Sequence, residues 1–181
     1  MRLAILDGNP AAGGAFDEWV ERFAAALETE GHAVRRLALR ELSLAQCKGC
    51  FACWLRTPGR CSIRDDGEVL LRAVLESDLV VHASPVSMGF VSPLLKRAQE
   101  RLLPILHPFM QIVAGEVHHR LRYDRYPRIA LVHGHLDCDG EDARILEDIY
   151  RAVALETHVS LALTASTEEA PEEVARAIGR A

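Results

Sequence analysis

Short apolar runs alternate with segments of helical periodicity along the whole chain. Five runs are short and apolar enough to predict buried strands, at residues 2–6, 33–39, 79–83, 128–132 and 158–163. The segments between and after them place apolar side chains three and four positions apart, which predicts five helices. Strands that alternate with helices in this way are typical of a parallel sheet covered by helices on both faces.

The predicted helices are bounded by recognisable start and stop residues. The first one stops before Gly31, and Asp66 is placed to cap the second. Asp139 is a candidate cap for the fourth helix, and Pro171 suits the first turn of the last one. Their apolar faces include Phe16, Trp19, Val20, Phe23, Ala24, Leu27, Val69, Leu70, Ala73, Val74, Leu94, Leu95, Ala98, Leu102, Leu103, Ile145, Leu146, Ile149, Tyr150 and Val153.

This order of elements predicts one α/β domain over residues 1–181, a flavodoxin-like three-layer sandwich. Right-handed crossovers around a central first strand give a five-stranded parallel sheet in the order 2-1-3-4-5. A six-stranded dinucleotide-binding fold would need another strand, and no residues remain to form it. Because ligands of open parallel sheets bind at the carboxyl ends of the strands, we expect the site at the loops after strands one, three and four.

The amino-acid composition of the chain excludes several classes of function. The 181 residues are 49% hydrophobic and 26% charged, which is enough to fill the core of one globular domain. A net charge of −5 provides no field for a nucleic-acid backbone, so we expect no nucleic-acid partner. The apolar stretch at the N-terminus is too short for a signal peptide, and none is long enough to span a membrane. We therefore expect a cytoplasmic protein with no membrane partner.

The loop after the first strand, residues 7–14, is rich in glycine and leads into a helix. Glycines allow close approach of the backbone, and the helix N-terminus offers free amide groups, so a phosphate can bind there. The alternative is an ordinary strand-to-helix turn. The loop is neither a Walker A motif nor a Gly-x-Gly-x-x-Gly motif, because the required lysine and glycine spacings are missing.

The loop after the third strand, residues 84–93, combines small hydroxyl residues with Met88, Gly89 and Phe90. It can hold a flat heterocycle, with backbone amides at the ring's edge and Met88 or Phe90 against its face. The alternative is a loop whose large side chains pack inward. The loop after the fourth strand, residues 133–137, completes this edge of the sheet, and its histidines and Asp137 suit loop roles better than metal binding.

Four cysteines lie within fifteen residues: Cys47, Cys50, Cys53 and Cys61. In a reducing compartment such clustering favours metal binding, redox chemistry or packing over disulfides. Their spacing, C-x2-C-x2-C-x7-C, can supply the four thiolates of a [4Fe-4S] cluster. A zinc site more often uses two close pairs set further apart. Reduced thiols that pack the loop remain the third alternative.

A long connection at residues 107–127 precedes the fourth strand. Connections of this length in a compact domain often form a lid or a subunit contact. Its arginine and histidine side chains can contact the phosphates of a nucleotide, and a solvated surface loop is the alternative.

Two segments together resemble the flavodoxin-like NAD(P)H-dependent FMN reductases and iron-sulfur flavoproteins. CKGCFACW at 47–54 continues through TPGRC at 57–61 to the acidic pair at 65–66. SPV at 84–86 is followed by Gly89, by LLK at 94–96 and by ERLLP at 100–104. The family's first loop usually reads Gly-Ser-Pro with a basic residue and hydroxyl residues after it, whereas this chain has GNP at 8–10 followed by alanines and glycines.

The resemblance implies an FMN-dependent oxidoreductase that takes hydride from NAD(P)H and passes electrons to a small acceptor, such as a quinone or a flavin. It implies no catalytic side chain, because the flavin carries the chemistry, and it implies a homodimer or homotetramer. The rivals are an electron-transfer protein with an iron-sulfur cluster and a flavin-free, non-enzymatic member of the fold. The expected FMN contacts are Gly8, Asn9, Pro10, Gly13, Gly14, Ala15, Ser84, Pro85, Val86, Ser87, Met88, Gly89, Phe90, His133, Gly134 and His135.

Overall fold

A computed structural model describes residues 1–136 and 140–180. Its centre is a parallel sheet of five strands, and two small antiparallel hairpins lie outside it. The strands of the sheet are β1 (Arg2–Asp7), β2 (Ala33–Ala38), β3 (Leu79–Ser84), β8 (Arg128–His133) and β9 (Leu161–Ser166). The hairpins are β4 (Val86–Ser87) with β5 (Phe90–Val91), and β6 (Leu106–Val113) with β7 (Glu116–Leu121). The helices are α1 (Gly14–Thr29), α2 (Ala52–Leu55), α3 (Gly67–Leu75), α4 (Pro93–Glu100), α5 (Glu141–Glu156) and α6 (Pro171–Arg180).

The strand order is β2-β1-β3-β8-β9, and every neighbouring pair is parallel. This is the predicted order 2-1-3-4-5, so the flavodoxin-like fold is confirmed. The register brings Asp7 beside Ala83 and Ser84 beside His133. The carboxyl ends of β1, β3 and β8 therefore lie side by side at one edge of the sheet.

Helices cover both faces of the sheet, which explains why its central strands are apolar throughout. Leu3 and Ile5 face α1 and α6, where Phe23 and Ile178 are fully buried. The alternate positions of the same strands face α3, α4 and α5, where Tyr150 is fully buried. Each face carries its own core, and the sheet between them supports the loops at its edge.

The last strand lies three residues later than the sequence predicts. Helix α5 continues to Glu156, and the chain then turns at His158, whose φ of +56° is in the left-handed region. The strand can begin only after this turn, at Leu161. The second strand likewise ends at Ala38, because Leu39 starts a short 3-10 turn.

The two hairpins and the four-residue helix α2 were not predicted. The connection at 107–127 is mostly the hairpin β6–β7, whose turn uses positive φ at Ala114 and Gly115. Both central residues of a type I′ turn need positive φ, and Ala-Gly is a weak signal for one. Asp66 is the residue before α3, but its carboxylate accepts the Ser43 amide instead of capping the helix. Asp139 lies outside the described residues.

No helix in residues 1–136 and 140–180 is long and apolar enough to cross a membrane.

Candidate functional site

The loop after β1 presents an open backbone surface at the start of α1. Gly13 and Gly14 have φ of +77° and +80°, and a Cβ at either position would meet no atom within 4 Å. Gly13, at the N-cap of α1, has no side chain to cap the helix, and its own amide donates to Asp17 Oδ2 over 3.0 Å. The next amides, of Gly14 and Ala15, have no acceptor within the helix. Pro10 and Ala15 are exposed beside this surface. The arrangement fits a phosphate group held by backbone amides.

Other residues of the same loop hold it in shape. Asn9 is buried, its amide donates to Asp7 Oδ1 over 3.0 Å, and its own Oδ1 accepts from the Ala11 amide over 3.2 Å. Gly8 serves packing, because a Cβ there would lie 2.7 Å from the Leu95 Cβ. Asn9 therefore shapes the loop from inside, where the sequence suggested a direct contact with the ligand.

Two arginines neutralise two buried carboxylates beneath this loop. Arg36 donates to Asp7 over 2.7 Å and also contacts Asp17, while Arg40 reaches both carboxylates over 3.2 Å. Burial opposes ionisation of Asp17, but the Gly13 amide and the two arginines outweigh it and hold the pKa of this carboxyl below its usual value. With both arginines engaged by acids, the amides are the groups that face a phosphate.

The loop after β3 is tied to the loop after β1 by buried hydrogen bonds. Ser92 Oγ donates to the Gly8 carbonyl over 2.6 Å, and the Gly8 amide donates to the Ala83 carbonyl over 2.7 Å. The Ser92 amide donates to Ser84 Oγ over 2.8 Å, and Ser92 Oγ caps α4 by accepting from Leu95. The two loops therefore hold a fixed position relative to each other.

The predicted ring loop is a tight hairpin, β4–β5. Its turn has positive φ at Met88 (+53°) and Gly89 (+74°), which is the pattern of a type I′ turn. Met88 is fully exposed at the tip, whereas Phe90 is half-buried and packs against the core beside α4. Of the two large side chains, only Met88 is free to move over a ring.

The loop after β8 borders the site on the side opposite the loop after β1. The Gly134 amide donates to the Ser84 carbonyl over 2.9 Å, and a Cβ at Gly134 would lie 3.1 Å from the Pro85 Cα. His133 is buried, and its Nδ1 donates to the Gly134 carbonyl over 2.8 Å. His135 is exposed beside Glu168, at 2.6 Å. Asp137 lies outside the described residues.

The structure thus brings the three predicted loops together at one edge of the sheet. Gly8 is bonded to Ala83 and Ser92, and Gly134 contacts Ser84 and Pro85. Gly13, Gly14 and Ala15 extend the site along α1. The sequence analysis did not predict the role of the three charged residues beneath the first loop, Asp17, Arg36 and Arg40. The acid in the first turn of α1 was the available signal, since acids are favoured there.

The cysteines lie in a separate loop, residues 46–64, with Cys53 buried, Cys47 and Cys61 half-buried and Cys50 exposed. Hydrogen bonds from Ser62 and from the Ala52 amide lower the pKa of the Cys50 thiol, while burial and the neighbouring Cys61 raise that of Cys53. Gly49 and Phe51 have positive φ, +61° and +51°, so the backbone turns sharply on both sides of Cys50.

A buried ion pair closes the base of this cysteine loop. Arg101, 2% exposed, donates to Asp65 over 2.6 and 2.7 Å and to the Ala45 carbonyl over 2.8 Å. Asp65 in turn accepts the Ala45 and Gly67 amides. The hydrogen bond from Arg101 holds the pKa of Asp65 at about 2. Both ends of the loop are therefore held by one pair of charges.

No three His, Cys, Asp or Glu side chains of the described ranges stand close enough together to hold a metal ion. Cys138 lies outside those ranges. The cysteine loop nevertheless supplies four thiols, which are the groups that bind iron-sulfur clusters.

The chain has relatives among flavoproteins. Residues 1–136 match the family described as NADPH-dependent FMN reductase. An iron-sulfur flavoprotein of Archaeoglobus fulgidus is 33% identical over 107 residues, which is 59% of this chain and 48% of that protein. One of Methanocaldococcus jannaschii is 30% identical over 105 residues, 58% of this chain and 53% of that protein. The chain spans about half the length of these curated relatives.

Solved structures share the fold at low identity. An NAD(P)H:quinone oxidoreductase from Methanothermobacter marburgensis aligns with a TM-score of 0.70 and 15% identity, over 99% of this chain and 93% of that one. An FMN-dependent NADH-azoreductase from Bacillus anthracis, in complex with FMN, aligns with a TM-score of 0.68 and 11% identity, over 99% and 98%.

Proposed function

The chain belongs to the NADPH-dependent FMN reductase family, and we propose that it is an FMN-dependent oxidoreductase. It takes hydride from NAD(P)H and passes electrons to a small acceptor of the quinone or flavin type. The observation that carries this proposal is the junction of three loops at one edge of the sheet, with an uncapped helix N-terminus beside it.

The phosphate of FMN binds to the backbone at the start of α1. Gly13 and Gly14 leave room for it, and the amides of Gly14 and Ala15 donate to its oxygens. The helix dipole favours the negative charge. This arrangement explains how the loop can bind FMN without the hydroxyl side chains that are usual in the family.

The ring of FMN lies between the loops after β3 and β8. Backbone groups of Pro85, Val86 and Gly134 border the space, and the exposed side chain of Met88 would cover one face of the ring. Ser87, Gly89 and Phe90 shape the hairpin, while His133 and His135 hold the opposite loop.

The chemistry needs little from protein side chains. When bound, the flavin accepts a hydride and releases electrons to the acceptor. The protein binds the phosphate, fixes the ring's orientation through the interlocked loops and keeps one face open for the nicotinamide and then for the acceptor. No side chain has to transfer a proton in this scheme.

The test is a comparison of FMN and riboflavin binding in two charge variants. Ala15→Asp places a carboxylate beside the phosphate position, and we expect it to weaken FMN binding at least tenfold while riboflavin binding is unchanged. Ala25→Asp, at an exposed position further along α1, is the matched control. Absorbance and fluorescence titrations measure both. A wild-type protein that is colourless and binds no added FMN would exclude the proposal in favour of a flavin-free function.

A second candidate is electron transfer through a [4Fe-4S] cluster held by Cys47, Cys50, Cys53 and Cys61. The C-x2-C-x2-C-x7-C spacing within one loop and the curated iron-sulfur flavoprotein relatives favour it. Anaerobically purified protein should then contain iron and acid-labile sulfide, and Cys53→Ser should lose both while keeping FMN. Iron-free protein after anaerobic reconstitution would leave the thiols with a packing role.

We also propose a homo-oligomer, dimer or tetramer, formed through the β6–β7 hairpin. Its tip exposes Phe109, Met110, Ile112 and Val117, the last three at 48%, 77% and 63%. An exposed apolar patch of this kind marks interaction surfaces. Ile112→Glu should therefore reduce the mass measured by sedimentation, whereas Glu147→Gln on the surface of α5 should not. We place the protein in the cytoplasm, where its free thiols stay reduced.

A further inference from the structure

A second cavity opens between α4 and α5, on the face of the sheet opposite α1. It has a volume of 260 Å³ and a mainly apolar lining. Its floor is formed by Val80 and Ile129 of the sheet, and its sides include Leu102 and Val153. A dry apolar cavity of about 150 Å³ can hold one benzene ring. The space is therefore suited to a molecule of one or two rings.

This cavity is distinct from the three-loop site. Val80 and Ile129 are the second residues of β3 and β8, whereas the loops follow the last residues of these strands. At about 3.3 Å per residue, Val80 lies roughly 13 Å from Ser84 along β3. A ligand here would not occupy the position of the FMN ring.

One polar side chain of the sheet lines this mainly apolar cavity. His82 is 2% exposed, and burial lowers its pKa to about 4, so the ring is neutral at physiological pH. Its Nδ1 lies 3.3 Å from Gln99 Nε2, which also donates to Tyr150 Oη over 2.9 Å. The Gln99 amide uses one hydrogen for each neighbour, so Nδ1 is an acceptor and the ring proton is on Nε2.

The Nε2 proton has no recorded acceptor within residues 1–136 and 140–180. Nε2 is not among the fully buried, unpartnered side-chain atoms of the described residues, so it keeps surface that the cavity can reach, and a ligand oxygen there can accept its proton. The charged residues of the cavity are Lys96, Glu100 and Glu156, with Lys96 and Glu100 exposed and paired over 3.3 Å. Since their net charge is negative, the cavity does not favour an anion.

We propose that the cavity binds a neutral, mainly apolar carbonyl compound of one or two rings, whose oxygen accepts a hydrogen bond from His82 Nε2. The apolar wall supplies affinity through burial of the rings. The His82 donor orients the ligand, in the way that a few polar groups do in most small-molecule sites.

The test compares α-tetralone, which has a carbonyl oxygen, with tetralin, which has the same rings and none. Both are titrated into the full chain and followed by calorimetry. We expect α-tetralone to bind three- to tenfold more tightly, which is the usual gain from one hydrogen bond. His82→Phe should make the two affinities equal, and Val153→Phe, which fills the cavity, should abolish both. Glu147→Gln, on the surface of α5, is the control.

Two further readouts keep the proposal falsifiable. Thermal melting shows whether each variant is folded, and long-range proton–nitrogen spectra show which nitrogen of His82 carries the proton. A proton on Nδ1 would overturn the assigned donor. Failure of both compounds to bind the folded wild type, or binding that the folded His82→Phe and Val153→Phe variants leave unchanged, would overturn the site itself.

Discussion

Removing the charge of Asp65 should destabilise the protein strongly and open the cysteine loop. In the variant Asp65→Asn, the Arg101 guanidinium keeps its charge at 2% exposure but loses the carboxylate that it contacts over 2.6 and 2.7 Å. Breaking a buried pair by removing one partner costs about 3–5 kcal/mol. For a chain of this size each kcal/mol corresponds to about 2–4 °C, so we expect Tm to fall by about 6–20 °C.

The assay is thermal or urea unfolding of the wild type, Asp65→Asn, Arg101→Met and the double variant. The double variant should cost less than the sum of the single ones, because the residues are in direct contact. Asp78→Asn weakens the pairs that the half-buried Asp78 makes with the exposed Arg2 and Arg125, and it should lower Tm by at most about 4 °C. Equal effects of Asp65→Asn and Asp78→Asn would refute the reasoning.

Cysteine reactivity gives this prediction a second measurement. Asp65 and Arg101 bind both the amide and the carbonyl of Ala45, so they close the loop that carries the cysteines. With the base of the loop open, the buried Cys53 should react faster with an aromatic disulfide reagent. Unchanged reactivity of Cys53 in a folded Asp65→Asn variant would show that the pair does not restrain the loop.

Further predictions concern acid stability and three glycines. The pKa of Asp65 is lowered from 3.8 to about 2, so its ionised form contributes about 2 kcal/mol to the free energy of unfolding above about pH 4. This contribution is lost as the pH falls through 2. In urea titrations across this window, the stability of Asp65→Asn should therefore fall less with pH than that of the wild type. Gly67→Ala should lower Tm markedly, since its Cβ would lie 2.4 Å from Arg101 Nη2. Gly89→Ala, at φ +74° and with its Cβ in ordinary contact with Asp142 at 3.8 Å, should cost about 1–2 kcal/mol in urea unfolding. Gly134→Ala should weaken riboflavin binding in fluorescence titrations, because its Cβ would press on Pro85 at 3.1 Å.

The sheet was predictable because each of its central strands is buried on both faces and reads as a continuous apolar run. The hairpins were not, since β6–β7 exposes much of its apolar surface and depends on the left-handed turn at Ala114 and Gly115. The position of β9 was wrong for a related reason. The apolar residues Val159 and Leu161 fit a strand equally well in two registers, and the left-handed turn at His158 decides between them.

The three loops of the site follow from topology alone, because neighbouring parallel strands end at the same edge. The charged pairs that hold these loops cannot be predicted from topology. Asp17 and Arg36 meet across nineteen positions, and Asp65 and Arg101 across thirty-six. The pairing of arginines with carboxylates depends on how the helices and strands are positioned relative to one another, which is a property of the packed fold. The sequence signal of such a pair is a charged residue within an apolar segment, as Arg101 is in ERLLP. A buried arginine is stable only when it pairs with an acid.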